Sequence, residues 1–271
     1  MKIGIGIIAY NPTSEDIDNI HNHAARGYSV YVYNNTETDY DAYAEKIVSD
    51  YSNIFVLGSG SNDGMSIACD EICRVAALSV PHILLLDQDS RFNDIEIKKL
   101  INAICLYKDA AIICPQIVYS GEPKCADDYG IVDWCITSGS LINLRYMKDI
   151  LSFDRNYFID RVDVDLCKQI KNAGLEIVRV NNSILYQQLG EEVNSSSKSY
   201  FSHSPLRCYY MTRNRFYYNK KYGISSFVSY LQTIKHVTLI LRFESYDKNK
   251  LKMIKRGIFD YYHNKMGKQS L

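Results

Sequence analysis

The sequence predicts an α/β protein with a mixed, mostly parallel sheet flanked by helices, and a helical extension at the C-terminal end. Strand and helix patterns alternate through the first 120 residues, as they do where helices connect the parallel strands of a doubly wound sheet. Residues 83–86 form an uninterrupted apolar run, which is typical of a strand covered on both faces. Of the 271 residues, 46% are hydrophobic, enough for a substantial core.

The regular part of the pattern ends near residue 120. Strands are expected at residues 3–10, 30–33, 54–57, 83–86 and 111–115, and helices at residues 14–25, 40–51, 65–78 and 94–107. Ser14 is the expected N-cap of the first helix, because its hydroxyl can accept from a free amide of the first turn. The second strand runs into the turn-forming residues Asn34 and Asn35, and the polar, Gly-rich residues 58–64 lead into the third helix.

The rest of the chain is less regular. A strand is expected at residues 136–142, where Gly139 would allow another backbone to approach closely. A helix at residues 163–173 and a strand at residues 175–180 follow, and residues 191–204 have the composition of a polar linker. Residues 205–268 mix aromatic and basic side chains in a helical pattern.

Cysteine usage and the N-terminus favour a cytoplasmic protein. The eight cysteines include no Cys-x-x-Cys pair, and Cys69 and Cys73 have the spacing of one helix face, so reduced thiols are expected. Residues 1–10 are followed by Asn11-Pro12 where a signal peptide would have small residues, so a first strand is the better interpretation. The sequence contains no run of about 18 apolar residues that could span a membrane.

The net charge is zero but unevenly distributed. Residues 213–271 carry 13 Lys and Arg against three acids, a net charge of +10, which leaves −10 on the other 212 residues. This asymmetry predicts an anionic partner for the C-terminal region, such as the inner face of the plasma membrane. Nucleic acid is disfavoured because no nucleic-acid-binding motif accompanies the charge. The alternatives are a solvated basic helix, or packing against the rest of the protein or the other subunit of a homodimer. The residues expected at a membrane surface are Phe227, Leu231, Ile234, Leu239, Leu241, Lys250, Lys252, Lys255 and Arg256.

Two carboxylates follow the apolar strand at residues 83–86. Asp87 and Asp89 flank Gln88 at its carboxyl end, the place where ligands bind in open α/β sheets. Burying one carboxylate there is costly, and a second beside it raises the cost unless a cation compensates. Hard oxygen ligands in this arrangement suit Mg²⁺ or Mn²⁺ shared with substrate phosphates. The alternative is an ordinary solvated turn.

A second acidic cluster, Asp160, Asp163 and Asp165, surrounds a predicted helix start. A carboxylate there is ionised at neutral pH and rigidly held, so it can act as a general base; the alternative role is helix capping. Together the two clusters predict a division of labour. The first holds a metal-bound diphosphate, and the second deprotonates a hydroxyl that attacks from the opposite side, as in inverting glycosyl transfer from a nucleotide sugar.

Two other nucleotide-dependent classes are disfavoured. Residues 4–9 match the G-x-G-x-x-A pattern of dinucleotide-binding proteins, but the apolar run continues past the glycines and the second strand ends in Asn34 instead of an acid. A dehydrogenase is therefore not expected. Nucleotidyl transfer would need a basic phosphate loop near the N-terminus, and residues 3–12 contain no base.

Six motifs occur in order along the chain. They are Asn11-Pro12, residues 62–64 (Asn-Asp-Gly), 84–90 (Leu-Leu-Leu-Asp-Gln-Asp-Ser), 137–142 (Thr-Ser-Gly-Ser-Leu-Ile), 157–167 and 203–214. In this combination the chain resembles the bacterial rhamnosyltransferases of glycosyltransferase family 2, which have a GT-A fold. The resemblance extends over about residues 3–220 and is far more specific than any single motif.

The resemblance implies a dTDP-L-rhamnose donor and a saccharide acceptor, often lipid-linked, in O-antigen or capsule assembly. By motif position it implies that Asp89 binds the divalent metal, Asp87 contacts the metal shell or the donor, and Asp163 is the general base. Arg213 and Asn214 would face the diphosphate or the acceptor, because the Arg fork suits bidentate phosphate contacts. The residues implied for the nucleotide pocket are Tyr10, Asn11, Asn34 and Asp63.

The predicted organisation is a glycosyltransferase domain over residues 1–204 and a basic, aromatic helical region over residues 205–271. Within the domain, about residues 1–120 would bind the nucleotide and about residues 121–204 the acceptor. Two positions depart from the family's pattern: Asn34 stands where an Asp is usual, and Gln187 where a His is usual. These departures leave open another donor, such as galactofuranose, and a catalytically idle sugar-nucleotide-binding protein.

Overall fold

The computed structural model describes residues 2–119, 121–123, 127–187, 192–195, 198–244 and 247–270, and gives no side-chain detail for residues 192–195 and 198–201. The chain divides into two units. The first comprises Met1–Asp154 and Val162–Gln187, and the second comprises Arg155–Arg161 and Gln188–Leu271. Residues 155–161 thus group by their contacts with the C-terminal helices.

The first unit is built on one eight-stranded sheet. Its strands are β1 (Gly4–Ala9), β2 (Ser29–Asn34), β3 (Ile54–Leu57), β4 (His82–Asp87), β5 (Ile112–Val118), β6 (Tyr129–Val132), β7 (Leu141–Asn143) and β8 (Ile177–Tyr186). They are ordered β3-β2-β1-β4-β7-β5-β8-β6. The pairs β1–β2, β1–β4, β2–β3 and β5–β8 are parallel, whereas β7 runs antiparallel to β4 and β5. The sheet is therefore mixed and mostly parallel, as the sequence predicts.

Five helices belong to this unit: α1 (Ser14–Ala25), α2 (Tyr40–Val48), α3 (Met65–Ala76), α4 (Asp94–Leu106) and α5 (Val162–Asn172). The N-cap of α1 is Thr13, one residue before the predicted Ser14. The reason is a reciprocal capping box, in which Asp16 N donates to Thr13 Oγ1 and Thr13 N donates to the Asp16 carboxylate. A Ser at position 14 could not make this pair with Asp16.

The two glycines of the misleading dinucleotide motif lie inside β1. A Cβ on Gly6 would lie 2.6 Å from Ile72 Cγ2 and 2.7 Å from Leu85 Cδ2. Gly6 therefore allows α3 to pack closely against the centre of the sheet, where Ile5 and Ile7 are completely buried. The glycines have a packing role, which agrees with the rejection of a dinucleotide site.

The second unit contains a two-stranded antiparallel sheet and three helices. The strands are β9 (Glu192–Ser195) and β10 (Lys198–Phe201), and the helices are α6 (Pro205–Lys221), α7 (Ser226–Phe243) and α8 (Lys248–Tyr262). The predicted polar linker at residues 191–204 is thus largely a strand pair, whereas the predicted helical region is confirmed. No helix in the described part of the chain is both long and apolar enough to cross a membrane.

A close approach of α6 and α8 holds the second unit together. A Cβ on Gly257 of α8 would lie 2.7 Å from Tyr209 O and 3.2 Å from Arg213 N of α6. The contact is reinforced where Tyr209 Oη donates to Asp260 Oδ2 at 2.8 Å. Because the backbones touch here, only glycine fits at position 257.

Candidate active site

Asp87 and Asp89 of the first predicted acidic cluster and Asp163 of the second belong to the first unit, where the charges of Asp89 and Asp163 act on Asp87. Asp87 ends β4, Asp89 lies two residues further on and is exposed, and Asp163 lies in the first turn of α5. Burial raises the pKa of Asp87 to about 6, and repulsion from Asp89 and then from Asp163 acts in the same direction. A hydrogen bond with Ser138 acts in the opposite direction. The charges of Asp89 and Asp163 thus both act on Asp87 at the carboxyl end of β4.

The backbone around Gly139 fixes the end of β4. Gly139 N donates to Leu85 O at 2.8 Å, and Asp87 N donates to Ser138 Oγ at 3.2 Å. Gly139 has φ +82°, and a Cβ there would lie 2.8 Å from Leu185 Cδ2, so the turn requires glycine. The predicted strand at residues 136–142 is consequently shorter than expected, because residues 137–140 make this turn before β7 begins.

A small polar network connects this turn to Gln187. Gln187 Nε2 donates to Ser90 Oγ at 2.8 Å and to Ser138 Oγ at 2.9 Å, and the two serine hydroxyls lie 2.9 Å apart. Gln187 thus lies one hydrogen bond away from the residue that binds Asp87 N. The amide that replaces the family's usual His is held by two serines, while the following residues 188–190 lie outside the described part of the chain.

The acids of the second cluster differ in burial, and this difference indicates different roles. Asp165 is buried and accepts from Gln169 Nε2 at 2.7 Å, which stabilises α5 internally. Asp163 is only partly buried, and its Oδ1 accepts from Val164 N at 2.8 Å, which orients the carboxylate at the helix start. Asp160 belongs to the second unit and has a left-handed backbone, with φ +67°. Of these three acids, Asp163 is the one that the first unit brings to Asp87.

Two of the predicted nucleotide contacts lie beside this site. Tyr10 is 49% exposed, and its backbone N donates to Gln88 Oε1 at 2.7 Å. Asn11 is exposed and has φ +45°, with its N donating to Thr36 Oγ1 at 2.9 Å. Both follow β1, which is the parallel neighbour of β4. Tyr10 and Asn11 are therefore accessible at the same edge of the sheet as Asp87.

The other two predicted nucleotide contacts, Asn34 and Asp63, make hydrogen bonds within the protein. Asn34 is completely buried; its Nδ2 donates to Tyr40 O at 3.3 Å, and its Oδ1 accepts from Thr36 N at 3.0 Å. This placement gives Asn34 a structural role in the loop after β2 instead of the predicted ligand contact. Asp63 is partly buried and accepts from Tyr33 Oη at 2.7 Å and from Ser61 Oγ at 2.9 Å.

Arg213 also departs from the prediction. In the second unit its side chain is completely buried, and its guanidinium donates to Gly267 O at 2.7 Å, to Asn214 Oδ1 at 3.0 Å and to Asn156 O at 3.3 Å. Asn214 is buried too, and its Nδ2 donates to Ile159 O at 2.7 Å. Because the Arg213 donors are used for backbone carbonyls and for the side-chain oxygen of Asn214, this arginine joins segments of the second unit instead of presenting a fork to a diphosphate.

An aromatic pocket next to the carboxylates was missed in the sequence. It has a volume of about 200 Å³, and its wall includes Tyr119, Trp134, Arg179 and Ser138, the residue bonded to Asp87 N. Burial raises the pKa of Tyr119, as do the charges of Asp163 and Asp87, so its hydroxyl lies in the field of both carboxylates. Trp134 is 51% exposed. The only sequence signal was that Trp134 is the single tryptophan of the chain.

The donor set fits a divalent cation that is shared with a ligand. Among the described residues, no three His, Cys, Asp or Glu side chains are grouped to hold a metal ion by themselves. Asp87 and Asp89 would supply two hard oxygen ligands, and Mg²⁺ or Mn²⁺ commonly binds through one or two carboxylates and completes its shell with substrate phosphates and water. The repulsion felt by Asp87 is the electrostatic condition that such a cation would relieve.

Comparison with known structures identifies the fold. The fold resembles that of S. aureus TarS residues 1–349 in complex with UDP-GlcNAc, with a TM-score of 0.61 and 14% identity, covering 96% of this chain and 80% of that one. It also resembles GalNAc-T7 with UDP, GalNAc and Mn²⁺, with a TM-score of 0.60 and 12% identity, covering 79% of this chain and 47% of that one. The predicted GT-A glycosyltransferase fold is therefore confirmed.

A curated sequence relative is more specific. The chain is 22% identical over 276 aligned positions to the dTDP-rhamnosyl transferase RfbF of Shigella flexneri, covering 93% of this chain and 91% of the relative. No family model matches the sequence. The predicted resemblance to glycosyltransferases, with a rhamnosyltransferase among the relatives, is confirmed along nearly the whole chain.

Proposed function

We propose that this protein is an inverting glycosyltransferase that uses a nucleotide sugar. The observation that carries the proposal is that Asp87, at the carboxyl end of its strand, is repelled by both Asp89 and Asp163. In the proposed reaction the acceptor oxygen bonds to the anomeric carbon, its proton passes to a carboxylate oxygen of Asp163, and the bond from the anomeric carbon to the diphosphate breaks with its electrons on the diphosphate. A cation held by Asp87 and Asp89 would neutralise the charge on that diphosphate.

The donor we propose is dTDP-L-rhamnose. The support is the Shigella relative, whose name states this specificity and whose length the chain nearly covers. The proposed nucleotide contacts are Tyr10, Asn11 and Asp63, of which Tyr10 and Asn11 are exposed. The related solved structures contain UDP or a UDP-sugar, so a donor panel has to include uridine sugars, and galactofuranose remains an alternative.

The acceptor we propose is a saccharide, free or lipid-linked, of a surface polysaccharide such as O-antigen or capsule. The aromatic pocket supports this part of the proposal, because Tyr119 and Trp134 offer flat apolar faces beside polar partners. Both residues lie at or close to the predicted acceptor-binding part, residues 121–204. A sugar in this pocket would adjoin Ser138 and the Asp87–Asp163 pair.

We also propose that α7 and α8 attach the protein to an anionic membrane surface. Phe227, Leu231 and Ile234 are 65%, 50% and 61% exposed and lie on one face of α7. On α8, Lys252 and Lys255 are exposed, as a basic surface requires. Lys250 has to be removed from the predicted set, because it is 6% exposed and forms an ion pair with Glu244.

Asp163→Asn tests the reaction. With a panel of nucleotide sugars and Mn²⁺, release of nucleoside diphosphate should fall by about 10²–10⁴-fold, the usual contribution of a general base. The matched control is Asp18→Asn, which makes the same change on an exposed carboxylate of α1. Retained turnover in Asp163→Asn would remove Asp163 from the mechanism, and product of unchanged anomeric configuration would reject inversion. Binding of a donor by the wild-type protein without any turnover would favour the idle sugar-nucleotide-binding alternative.

A further inference from the structure

The second unit contains a basic pocket of its own, with a volume of about 300 Å³. Its lining residues are Arg161, His203, Met211, Arg215, Gln232, Lys235, His236 and Leu239. Three of these side chains are cationic, and the described residues that line the pocket include no acid. The two acids that influence the lining cations and imidazoles from outside are Asp160 and Glu244, and Glu244 is paired with Lys250. The lining is therefore cationic.

Arg215 is a buried cation in this pocket. It is 7% exposed, and its Nη1 donates to Thr233 Oγ1 at 3.0 Å. Burial, and then repulsion from Arg161, lower the pKa of Arg215 to about 10, while Asp160 acts in the opposite direction. A buried guanidinium beside a second one is costly unless an anion compensates for both. The arrangement thus favours a negatively charged ligand.

His236 gives an independent indication of a ligand. Its side chain is buried, at 7% exposure, and neither ring nitrogen has a hydrogen-bond partner among the described residues. Buried imidazoles in folded proteins normally satisfy at least one nitrogen. His236 also lines the pocket, so a turn of the ring would present one of these buried nitrogens to a polar ligand there.

We propose that this basic pocket binds a phosphate group, with Arg161, Arg215 and Lys235 as cationic partners and His236 as a hydrogen-bonding partner. Guanidinium groups match the geometry of phosphate oxygens bidentately. Met211 and Leu239 form an apolar part of the wall, so the group carrying the phosphate extends onto apolar surface. Two carriers fit: a phosphorylated lipid, or a phosphorylated sugar, which as an acceptor would rest on the proposed transferase function.

Titration of the full-length protein with three probes tests the site. Inorganic phosphate, glycerol 3-phosphate and dihexanoyl phosphatidic acid are compared by calorimetry in EDTA, which keeps divalent metal from the Asp87–Asp89 pair. All three should bind, and Arg161→Gln and Lys235→Gln should each weaken binding about tenfold or more, the effect of losing one charge-assisted hydrogen bond. Lys220→Gln, on the exposed side of α6, is the matched control and should leave binding unchanged. Tighter binding of the phosphatidic acid would identify a lipid carrier, and equal binding a soluble one.

A second measurement protects the test from a folding artefact. The His236 imidazole signals in an NMR spectrum should shift on addition of phosphate to the wild-type protein and to Asp163→Asn. That variant lacks the proposed base but keeps the basic pocket, so a phosphate-induced shift in it would support the phosphate site whether or not the proposed reaction is correct. Equal phosphate affinity in the wild type, Arg161→Gln and Lys235→Gln, or a His236 signal that does not move at saturation, would overturn the proposal.

Discussion

Asp87 illustrates at the scale of single residues how a site conflicts with stability. Its carboxylate is held at the end of a buried strand and repelled by Asp89 and Asp163. Ionisation at neutral pH therefore costs folding free energy, at about 1.4 kcal/mol for each unit of pKa shift before solvent screening. The three acids thus destabilise the fold, whereas they would stabilise a bound cation.

Asp87→Asn should stabilise the metal-free protein. We expect a gain of about 1–2 kcal/mol at neutral pH, because an amide removes the repulsion and keeps the shape of the side chain. Mn²⁺ with a nucleoside diphosphate should stabilise the wild type by about 2.7 kcal/mol at a hundred times the Kd, and so raise its melting temperature. The same variant should lose this stabilisation. Thermal unfolding with and without the ligands measures both effects. A lower melting temperature of metal-free Asp87→Asn would contradict the electrostatic argument, and Asp18→Asn is the control.

Trp134 provides a direct signal for the acceptor. As the single tryptophan, 51% exposed on the wall of the aromatic pocket, it should change its fluorescence when an acceptor saccharide binds. Trp134→Ala should raise the acceptor KM by about tenfold, the loss of one aromatic contact, and leave the donor KM unchanged. Trp134→Phe, which keeps an aromatic face, should recover most of the affinity. An unchanged acceptor KM in Trp134→Ala would exclude the pocket as the acceptor site.

For single residues, the sequence indicates which side chains have suitable chemistry better than it indicates which of them are exposed. Asp87 and Asp89 could be selected because two acids directly after a buried strand are costly without a cation, and Asp163 because a carboxylate at a helix start is ionised and rigidly held. Asn34 and Arg213 have equally suitable chemistry, but burial depends on contacts between distant segments, and those contacts cover both side chains. The link from Gln187 to Ser138 and from Ser138 to Asp87 joins residues 49 and 51 positions apart, so it leaves no local pattern in the sequence.

At the scale of elements, Gly6 in β1 decides how closely α3 approaches the sheet. Gly6→Ala should destabilise the protein by about 1–3 kcal/mol, the usual cost of overpacking a core, because its Cβ would lie 2.6 Å from Ile72 Cγ2. Gly130→Ala in β6 is the matched control: its Cβ would meet only Asn181, at 3.8 Å, and should be neutral or slightly stabilising. Urea unfolding of both variants measures the difference. Equal free energies of unfolding would contradict the packing argument.

The packing of α1 should make the protein sensitive to acid. His23 is completely buried without a described partner, and burial, then Arg26 and Arg91, lower its pKa to about 4, while Asp94 acts in the opposite direction. Since an unfolded His titrates near 6.5, the unfolded state binds the extra proton between pH 6.5 and 4, and stability is lost as the pH falls through this window. The loss should approach about 3 kcal/mol. His23→Leu should remove it, as followed by urea unfolding at several pH values, whereas the exposed His263→Leu should leave the slope unchanged.

The elements that could be predicted share one property: a pattern that local physics creates. Strands β1 to β5 are apolar runs bounded by turns, so their positions follow from composition. Strand β7 was placed too early, because the turn at Gly139 depends on Leu185 and Pro115, which are distant in sequence. Strands β9 and β10 have a polar composition, so no local pattern indicates that they pair with each other.

At the scale of the whole molecule, charge is separated along the sequence, and the separation could be counted directly. Which basic residues are exposed could not be predicted from the sequence. Lys250 is buried against Glu244, whereas Lys252, Lys255 and Arg256 are exposed. The predicted domain boundary at residue 204 likewise followed composition. Composition does not indicate that residues 155–161 group by their contacts with the C-terminal helices.

If the C-terminal helices attach the protein to a membrane, binding should depend on salt and on the exposed bases. Vesicles containing phosphatidylglycerol should carry the full-length protein to the top of a flotation gradient at low salt, and much less at high salt, because screening weakens attraction to anionic lipid. Replacing Lys252, Lys255 and Arg256 by Gln should weaken binding by about 1 kcal/mol for each charge. The same replacement at Lys46, Lys108 and Lys148, which are exposed in the first unit, is the control. Because Phe227, Leu231 and Ile234 would enter the interface, Ile234→Asp should reduce binding even at low salt. Equal flotation of the two triple variants would mean that charge on α8 does not guide the protein to the membrane.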